Sequence, residues 1–263
     1  MGSIKWVSLL LLGFTFAGNA EQKIRVAVAA NFKPTLELIA QEYQQQQPQA
    51  KIVVSSASTG VLYAQIQRGA PFDIFLSADS VRPKLLEEQD LTLKGSRQSY
   101  ALGQLVLWAP DEKLTNNLSL AGLQGKLAIA NPQLAPFGQA AKVALQKLTY
   151  WEKIEAHLVM TNNVLQVNQL IFSGAAQMGF VALSQVLNVP QHQYWLLPTH
   201  YYPPITQEMV ILNRGKVGSS RHTQAVSDFF DYILSAQGQG IIRKNGYQSS
   251  GPEANTRVRS DDR

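Results

Sequence analysis

Apolar runs of strand length alternate with helix-like segments in the first part of the chain. Residues 24–30 (IRVAVAA) and 51–56 (KIVVSS) are short and rich in β-branched or small apolar residues, as in buried strands. Between them, Pro34 fits the first turn of a helix, and apolar residues recur at helical spacing through residues 35–46. A short helix and a third strand follow within residues 61–77. This order predicts parallel βαβ units.

The rest of the chain continues the alternation. It predicts strands over residues 102–108, 126–130, 178–181 and 208–212, and helices over residues 138–148, 164–172 and 223–234. The strand and helix that come after the second α/β set suit a two-lobed protein whose chain crosses between the lobes near residues 99–104 and 198–206. We therefore predict a first lobe over residues 21–101 and 204–248, and a second lobe over residues 102–203.

Four segments lie where a predicted strand ends and a predicted helix begins, at residues 30–32, 58–60, 135–138 and 161–164. Each is small, polar or glycine-bearing, and the stretches around them contain almost no Lys or Arg in a chain with 23 such residues. Helix N-termini carry unpaired N–H donors and a partial positive charge, so they bind anions without basic side chains. If the four segments converge, they form a socket that recognises an oxyanion by hydrogen bonds and size.

The first twenty residues have the pattern of a signal peptide. Lys5 precedes an apolar stretch over residues 7–17, and Gly18-Asn19-Ala20 supplies the small residues needed for cleavage. The apolar stretch is too short to span a bilayer core of about 30 Å. The chain has no cysteine, so an oxidising compartment cannot create wrong disulfides. We expect export to the periplasm, and a disordered tail over residues 249–263, which lack an apolar pattern.

Composition and motifs argue against several function classes. The formal net charge is +5, but the basic residues are scattered, which does not favour nucleic acid binding. The four histidines lack metal-ligand spacing, and neither a G-x-S-x-G sequence nor a P-loop is present. No nucleophile with a positioned base stands out, so we expect a binding protein rather than an enzyme. The pair Tyr201-Tyr202 beside His200 leaves a ferric-ion site as an alternative.

Several stretches, in their order and spacing, are similar to those of a known family. The most specific is residues 69–79 (GAPFDIFLSAD), and others are residues 26–32 (VAVAANF), 58–60 (STG), 131–138 and 230–232. Together they extend over roughly residues 23–248, nearly the whole mature chain. The chain resembles the molybdate-binding components of bacterial ABC importers, a branch of the type II periplasmic binding proteins.

The resemblance implies an α/β fold of two Rossmann-like lobes joined by a two-crossing hinge, with a tetrahedral dianion bound between them. By position, it implies binding residues at Ala30, Asn31, Ser58, Thr59, Phe137 and Val164. It also implies molybdate or tungstate as ligand, no cofactor, an inner-membrane ABC permease as partner, and a monomer. Some members have an anion-contacting tyrosine where this chain has Ala182, so we expect either a replacement hydrogen bond from Asn31 or a looser socket. The same fold with sulfate or ferric ion is the alternative.

Overall fold

The structure is a computed structural model of the chain. It describes residues 22–111, 114, 118–213 and 220–249. The predicted signal peptide therefore lies outside the described residues, as does the predicted tail beyond Ser249. Among the helices that are described, none combines the length and the hydrophobicity needed to cross a bilayer.

Strands and helices alternate along much of the described part of the chain. The strands are β1 (Gln22–Ala29), β2 (Ala50–Ala57), β3 (Ile74–Leu76), β4 (Gln98–Gly103), β5 (Leu105–Trp108), β6 (Leu127–Ala130), β7 (Leu158–Thr161), β8 (Met178–Ala182), β9 (Tyr194–Leu196) and β10 (Ile205–Ile211). The α-helices are α1 (Lys33–Gln46), α2 (Thr59–Gln67), α3 (Val81–Glu88), α4 (Leu118–Ala121), α5 (Pro136–Lys147), α6 (Val164–Phe172), α7 (Ser220–Leu234) and α8 (Ala236–Lys244).

The strands form two five-stranded sheets, one in each lobe. The first lobe has the order β2-β1-β3-β10-β4, and the second has the order β7-β6-β8-β5-β9. Within the first sheet, β1 is parallel to β2 and β3, whereas β10 is antiparallel to β3 and β4. The second sheet repeats the scheme, with β6 parallel to β7 and β8, and β5 antiparallel to β8 and β9. The predicted parallel units are therefore confirmed, each with one antiparallel strand inserted.

Helices cover both faces of the first sheet, which explains why β1 is apolar at consecutive positions. Val26 and Val28 point into the core beneath α1 and α7, whereas Ala27 points into a separate core beneath α2. All three side chains are fully buried. A strand that is buried on both faces has no polar side, so its sequence shows a continuous apolar run instead of alternation.

The chain passes from the first sheet to the second at Gln104. The prediction of a single strand over residues 102–108 is wrong, because Gly103 ends β4 in one sheet and Leu105 begins β5 in the other. Apart from Gln104 the run has no polar side chain, because residues on both sides of the passage pack in the interior, although in different lobes. The return passage lies between β9 and β10, within residues 197–204. Both passages fall in the segments where crossings are predicted, while the lobe limits at residues 101/102 and 203/204 stay a prediction.

Candidate anion-binding site

The four predicted helix starts meet at one small cavity between the lobes. The cavity is lined by the six predicted binding residues, Ala30, Asn31, Ser58, Thr59, Phe137 and Val164, together with Ala29, Ala78, Ala135, Pro136 and Asn163. The cavity is small, as a site for a single small ion requires. None of these lining residues carries a charge, so any recognition here must come from neutral groups.

The turn between β1 and α1 offers one free backbone donor, and it belongs to Asn31. The N–H of Ala30 donates to the carbonyl of Ala57 at 3.0 Å, and that of Phe32 donates to the carbonyl of Ala29 at 2.9 Å. The N–H of Asn31 has no acceptor among the described residues. Ala30 therefore lines the cavity without a free donor, because its N–H extends the ladder between β1 and β2.

The side chain of Asn31 is turned to the protein instead of the cavity. Its Nδ2 donates to Gln207 Oε1 at 2.8 Å and to the Tyr247 hydroxyl at 3.2 Å. The Tyr247 hydroxyl in turn donates to the Asn31 carbonyl at 2.8 Å. Both amide hydrogens are thus used, and an anion gains no donor from this group. The arrangement does not support the hypothesis that Asn31 replaces the tyrosine missing at Ala182; the side chain instead fixes the turn that presents the Asn31 N–H.

Ser58 and Thr59 begin α2 and bring two hydroxyl groups to the cavity. Ser58 has the extended backbone of an N-cap residue, yet its side chain makes no cap hydrogen bond. Its Oγ is buried and has no partner among the described residues. The Thr59 hydroxyl accepts from the N–H of Ala78 at 3.1 Å, which leaves its own proton available. An N-cap serine normally satisfies a helix N–H, so the Ser58 hydroxyl, which has no partner among the described residues, is an unused donor at the cavity wall.

The second lobe contributes the N-termini of α5 and α6. Pro136 occupies the first turn of α5, and the N–H of Phe137 behind it has no acceptor within the part of the chain that the structure describes. In α6, Asn163 Oδ1 accepts from the N–H groups of Leu165 and Gln166 at 3.0 and 3.2 Å. This cap leaves the N–H of Val164 unpaired. Each lobe therefore supplies backbone donors to the cavity.

The electrostatics of the cavity come from helix ends and neutral groups. The N-termini of α1, α2, α5 and α6 all border it, and each carries a partial positive charge. Burial raises the pKa of Tyr247 to about 12, so this hydroxyl stays protonated behind the Asn31 turn. Such a site favours an anion, and it favours one that accepts several hydrogen bonds, because a buried charge without partners is very costly.

The tyrosine pair at the return crossing does not form a phenolate site. The Tyr202 hydroxyl is buried and accepts from the N–H of Leu105 at 3.2 Å. Burial raises the pKa of Tyr202, although the bond from Leu105 opposes the shift, so the phenolate form is disfavoured. Tyr201 packs against the rings of Trp195 and His200. The pair thus belongs to the packing of the hinge, and the ferric-ion alternative has no support from it.

Comparison with known proteins places this site in a family. The sequence model of the bacterial extracellular solute-binding proteins matches residues 24–248. The chain belongs to this family. It is 36% identical over 231 residues to the molybdate-binding protein ModA of Azotobacter vinelandii, with 86% of this chain and 89% of the relative covered. It is 35% identical over 241 residues to ModA of Rhodobacter capsulatus, with 90% and 92% covered.

A solved structure supports the same placement of this solute-binding protein. The periplasmic molybdate-binding protein of Azotobacter vinelandii superposes with a TM-score of 0.80 at 37% identity, covering 87% of this chain and 100% of that chain. The predicted α/β fold with two lobes and a two-crossing hinge is thereby confirmed. Membership of a solute-binding family also confirms the expectation of a binding protein rather than an enzyme.

Proposed function

We propose that this solute-binding protein captures molybdate or tungstate between its two lobes and delivers it to an inner-membrane ABC permease. One observation carries the proposal: neutral donors without partners among the described residues converge from both lobes on a small cavity whose lining residues carry no charge. The relatives and the solved structure named for molybdate favour this ion over sulfate and over ferric ion.

The available donors are sufficient for tight binding. They are the N–H groups of Asn31, Thr59, Phe137 and Val164 and the hydroxyl groups of Ser58 and Thr59. A hydrogen bond to a charged group contributes about 1.5–3 kcal/mol. Six such bonds together exceed most estimates of the cost of association, about 4–15 kcal/mol. Six bonds near the upper end of the range for one hydrogen bond, about 18 kcal/mol in total, leave the roughly 8 kcal/mol of a submicromolar Kd when association costs about 10 kcal/mol or less.

Size is the proposed basis of selectivity. The donors are fixed to helix N-termini that belong to different lobes, so the distance between opposite donors is set by the closed arrangement of the lobes. Molybdate and tungstate have the same charge and nearly the same size, and both can reach donors on each side. Sulfate is smaller and cannot contact all of them at once. A buried donor that loses its acceptor costs free energy, so this mismatch weakens sulfate binding.

The proposal also covers where the protein acts and how it meets the permease. Residues 1–20 act as a signal peptide that is removed after Ala20, and the mature chain works in the periplasm as a monomer without a cofactor. The chain leaves the first lobe close to residues 101/102 and returns to it close to residues 203/204. An anion that contacts both lobes stabilises their closed arrangement, and the permease recognises the closed, loaded protein.

Thermal unfolding tests the ligand class. Molybdate or tungstate at a thousandfold excess over Kd is expected to stabilise the native state by about 4 kcal/mol. For a chain of this size, the gain raises Tm by about 10 °C. Sulfate at the same concentration is expected to change Tm very little. Equal increases with molybdate, sulfate and phosphate would show that the cavity does not select by size.

Affinity is expected to stay flat between pH 6 and 8, because no group at the cavity titrates in that range. Tyr247 is protonated throughout, since burial raises its pKa to about 12. The native state favours the protonated phenol, so its contribution to stability is complete below the pKa of an unfolded tyrosine, about 10, and is lost as pH rises towards 12. Titration calorimetry at pH 6, 7 and 8 checks this prediction. A steep change of Kd with one titrating group would contradict it.

A further inference from the structure

Arg82 connects the two lobes at the edge of the cleft without lining the anion cavity. Its Nη2 donates to the carbonyl of Gln133, in the second lobe, at 2.9 Å. Its Nη1 pairs with the Asp79 carboxylate in the first lobe. Asp79 also accepts from the backbone N–H of Arg82 at 2.9 Å, which caps the start of α3. Both contacts with Asp79 lie within the first lobe, and they hold the guanidinium in position for its hydrogen bond to the second lobe.

A second contact between the lobes lies directly beside the first. The N–H of Gly60, at the start of α2, donates to the carbonyl of Leu134 at 2.9 Å. A Cβ placed on Gly60 would lie 3.1 Å from the Leu134 oxygen and 3.2 Å from Arg82 Nη2. The two acceptors, Gln133 and Leu134, are neighbours in the segment that leads into α5. That helix carries the Phe137 N–H, which is one of the donors at the anion cavity.

We propose that Arg82 is a positioning residue that holds the lobes closed over the anion and so sets how long the anion stays bound. We call Asp79, Arg82 and the Gln133 carbonyl the Arg82 bridge. The bridge acts through the segment from Gln133 to Phe137, which it fixes against the first lobe. The identity of the anion rests on the proposed function, whereas the bridge itself is formed entirely by protein groups.

The kinetic consequence follows from where the bridge acts. An interaction that exists only in the closed form raises the population of that form, and it does so equally for every ligand that closes the lobes. The anion enters the open form, so a bridge that closes part of the ligand-free protein can slow association but cannot speed it. Release requires opening, so loss of the bridge speeds dissociation. The Asp79 charge balances that of Arg82, which gives the guanidinium little net attraction for an incoming anion.

Rapid-mixing kinetics on the Arg82→Ala variant tests the proposal. The Arg82 side chain is 21% exposed, so water replaces part of the lost bond, and we expect dissociation of molybdate to become about 3- to 30-fold faster. The association rate is expected to stay the same or to rise, because more of the ligand-free variant is open, and the ratio of molybdate to tungstate affinity is expected to stay unchanged. Arg82→Lys should restore part of the slow release, because an ammonium group can still donate across the cleft. Unchanged dissociation in Arg82→Ala, or a slower association instead, would overturn the proposal.

Lys84→Ala is the matched control, because Lys84 lies on the same helix and pairs only with Glu88 of that helix among the ion pairs described. Its dissociation rate should equal that of the wild type. Gly60→Ala provides a second variant, since its added methyl group meets the Leu134 backbone of the opposite lobe and Arg82 Nη2 of the bridge. It is expected to speed dissociation as well, while the ligand-free protein unfolds at the wild-type temperature or above. If Gly60→Ala releases molybdate at the wild-type rate, the contact between Gly60 and Leu134 does not help to hold the lobes closed.

A distance measurement separates this proposal from the identity of the ligand. The chain has no cysteine, so Glu88→Cys in α3 and Gln146→Cys in α5, both at exposed positions, allow one spin label on each lobe. Without any anion, Arg82→Ala should shift the distances between the labels towards longer values. If the wild type binds no oxyanion but this shift occurs, the proposed function is wrong and the bridge stands. If molybdate binds tightly and neither distances nor dissociation change, the bridge is wrong and the proposed function stands.

Discussion

Replacing Ser58 with alanine is expected to weaken molybdate binding by about 10- to 100-fold without destabilising the ligand-free protein. The hydroxyl is buried and has no partner among the described residues, so we expect a bound anion to be its acceptor. Loss of a hydrogen bond to a charged group costs about 1.5–3 kcal/mol of binding free energy. In the ligand-free protein the same hydroxyl is a buried, unsatisfied group, and its removal relieves a cost of about 1–3 kcal/mol.

The opposite signs of the two effects distinguish a ligand donor from a structural residue. Calorimetric titration gives the change in affinity, and urea unfolding without ligand gives the change in stability. Ser56→Ala makes the same chemical change at an exposed position in β2 and should leave both quantities near the wild type. Asn31→Ala should reduce both, because the Asn31 side chain bonds to Gln207 and Tyr247 in the absence of ligand. Wild-type affinity in Ser58→Ala would show that this hydroxyl does not bind the anion.

Replacing Gly138 with alanine is expected to reduce anion affinity by about 100-fold and to destabilise the protein by about 1–3 kcal/mol. A Cβ at Gly138 would lie 2.0 Å from the oxygen and 2.6 Å from the carbon of the Ala130 carbonyl. Both neighbours are backbone atoms at the end of β6, so they cannot rotate away as a side chain would. The N-terminus of α5 must therefore move, and the Phe137 N–H leaves its position at the cavity.

The matched control is Gly240→Ala in α8, where a Cβ would meet nothing within 4 Å. Alanine has the higher helix propensity, so this variant should be more stable by up to about 1 kcal/mol, with unchanged anion affinity. Urea unfolding and calorimetric titration of both variants check the pair. If Gly138→Ala binds molybdate as the wild type does, the position of α5 does not determine binding.

The sequence predicts most of the scaffold, because parallel strands buried on both faces leave a clear signal of short apolar runs. It does not show where such a run changes lobes, since Leu102 and Leu107 are hydrophobic for the same reason in different sheets. It also does not predict α3 and α8. In α3 the only buried residues are Pro83 and Leu86, which is too little for a helical pattern to be visible.

The site is predictable to the level of segments but not of single donors. Helix starts can be recognised from local residues, and all four predicted segments border the cavity. The pairing of the Ala30 N–H depends on the register of β1 with β2, which puts Ala29 opposite Ala57. The use of the Asn31 amide depends on Gln207 and Tyr247, which lie 176 and 216 positions away. Contacts at such separations are set by the fold and leave no local pattern.

Two kinds of observation bear on which ligand the protein binds. The unpaired N–H groups and hydroxyls specify a small anion with several acceptor oxygens, and the absence of charged lining residues favours recognition by hydrogen bonds and size. The relatives named for molybdate favour one ion within that class. Ala182 offers no hydroxyl, and the Asn31 amide is bonded to Gln207 and Tyr247. We therefore expect the hydroxyls of Ser58 and Thr59 to be the side-chain donors to the anion.

The central claim, that neutral donors from two lobes select a large tetrahedral oxyanion, is tested most directly by calorimetric titration of the mature chain. Molybdate, tungstate, sulfate and phosphate would be titrated separately under identical conditions. The account predicts one site per chain, submicromolar Kd values for molybdate and tungstate, and binding of sulfate and phosphate that is weaker by about 100-fold or more, equivalent to one or two lost hydrogen bonds. Sulfate binding as tight as that of molybdate, or no binding of any of the four ions, would contradict it.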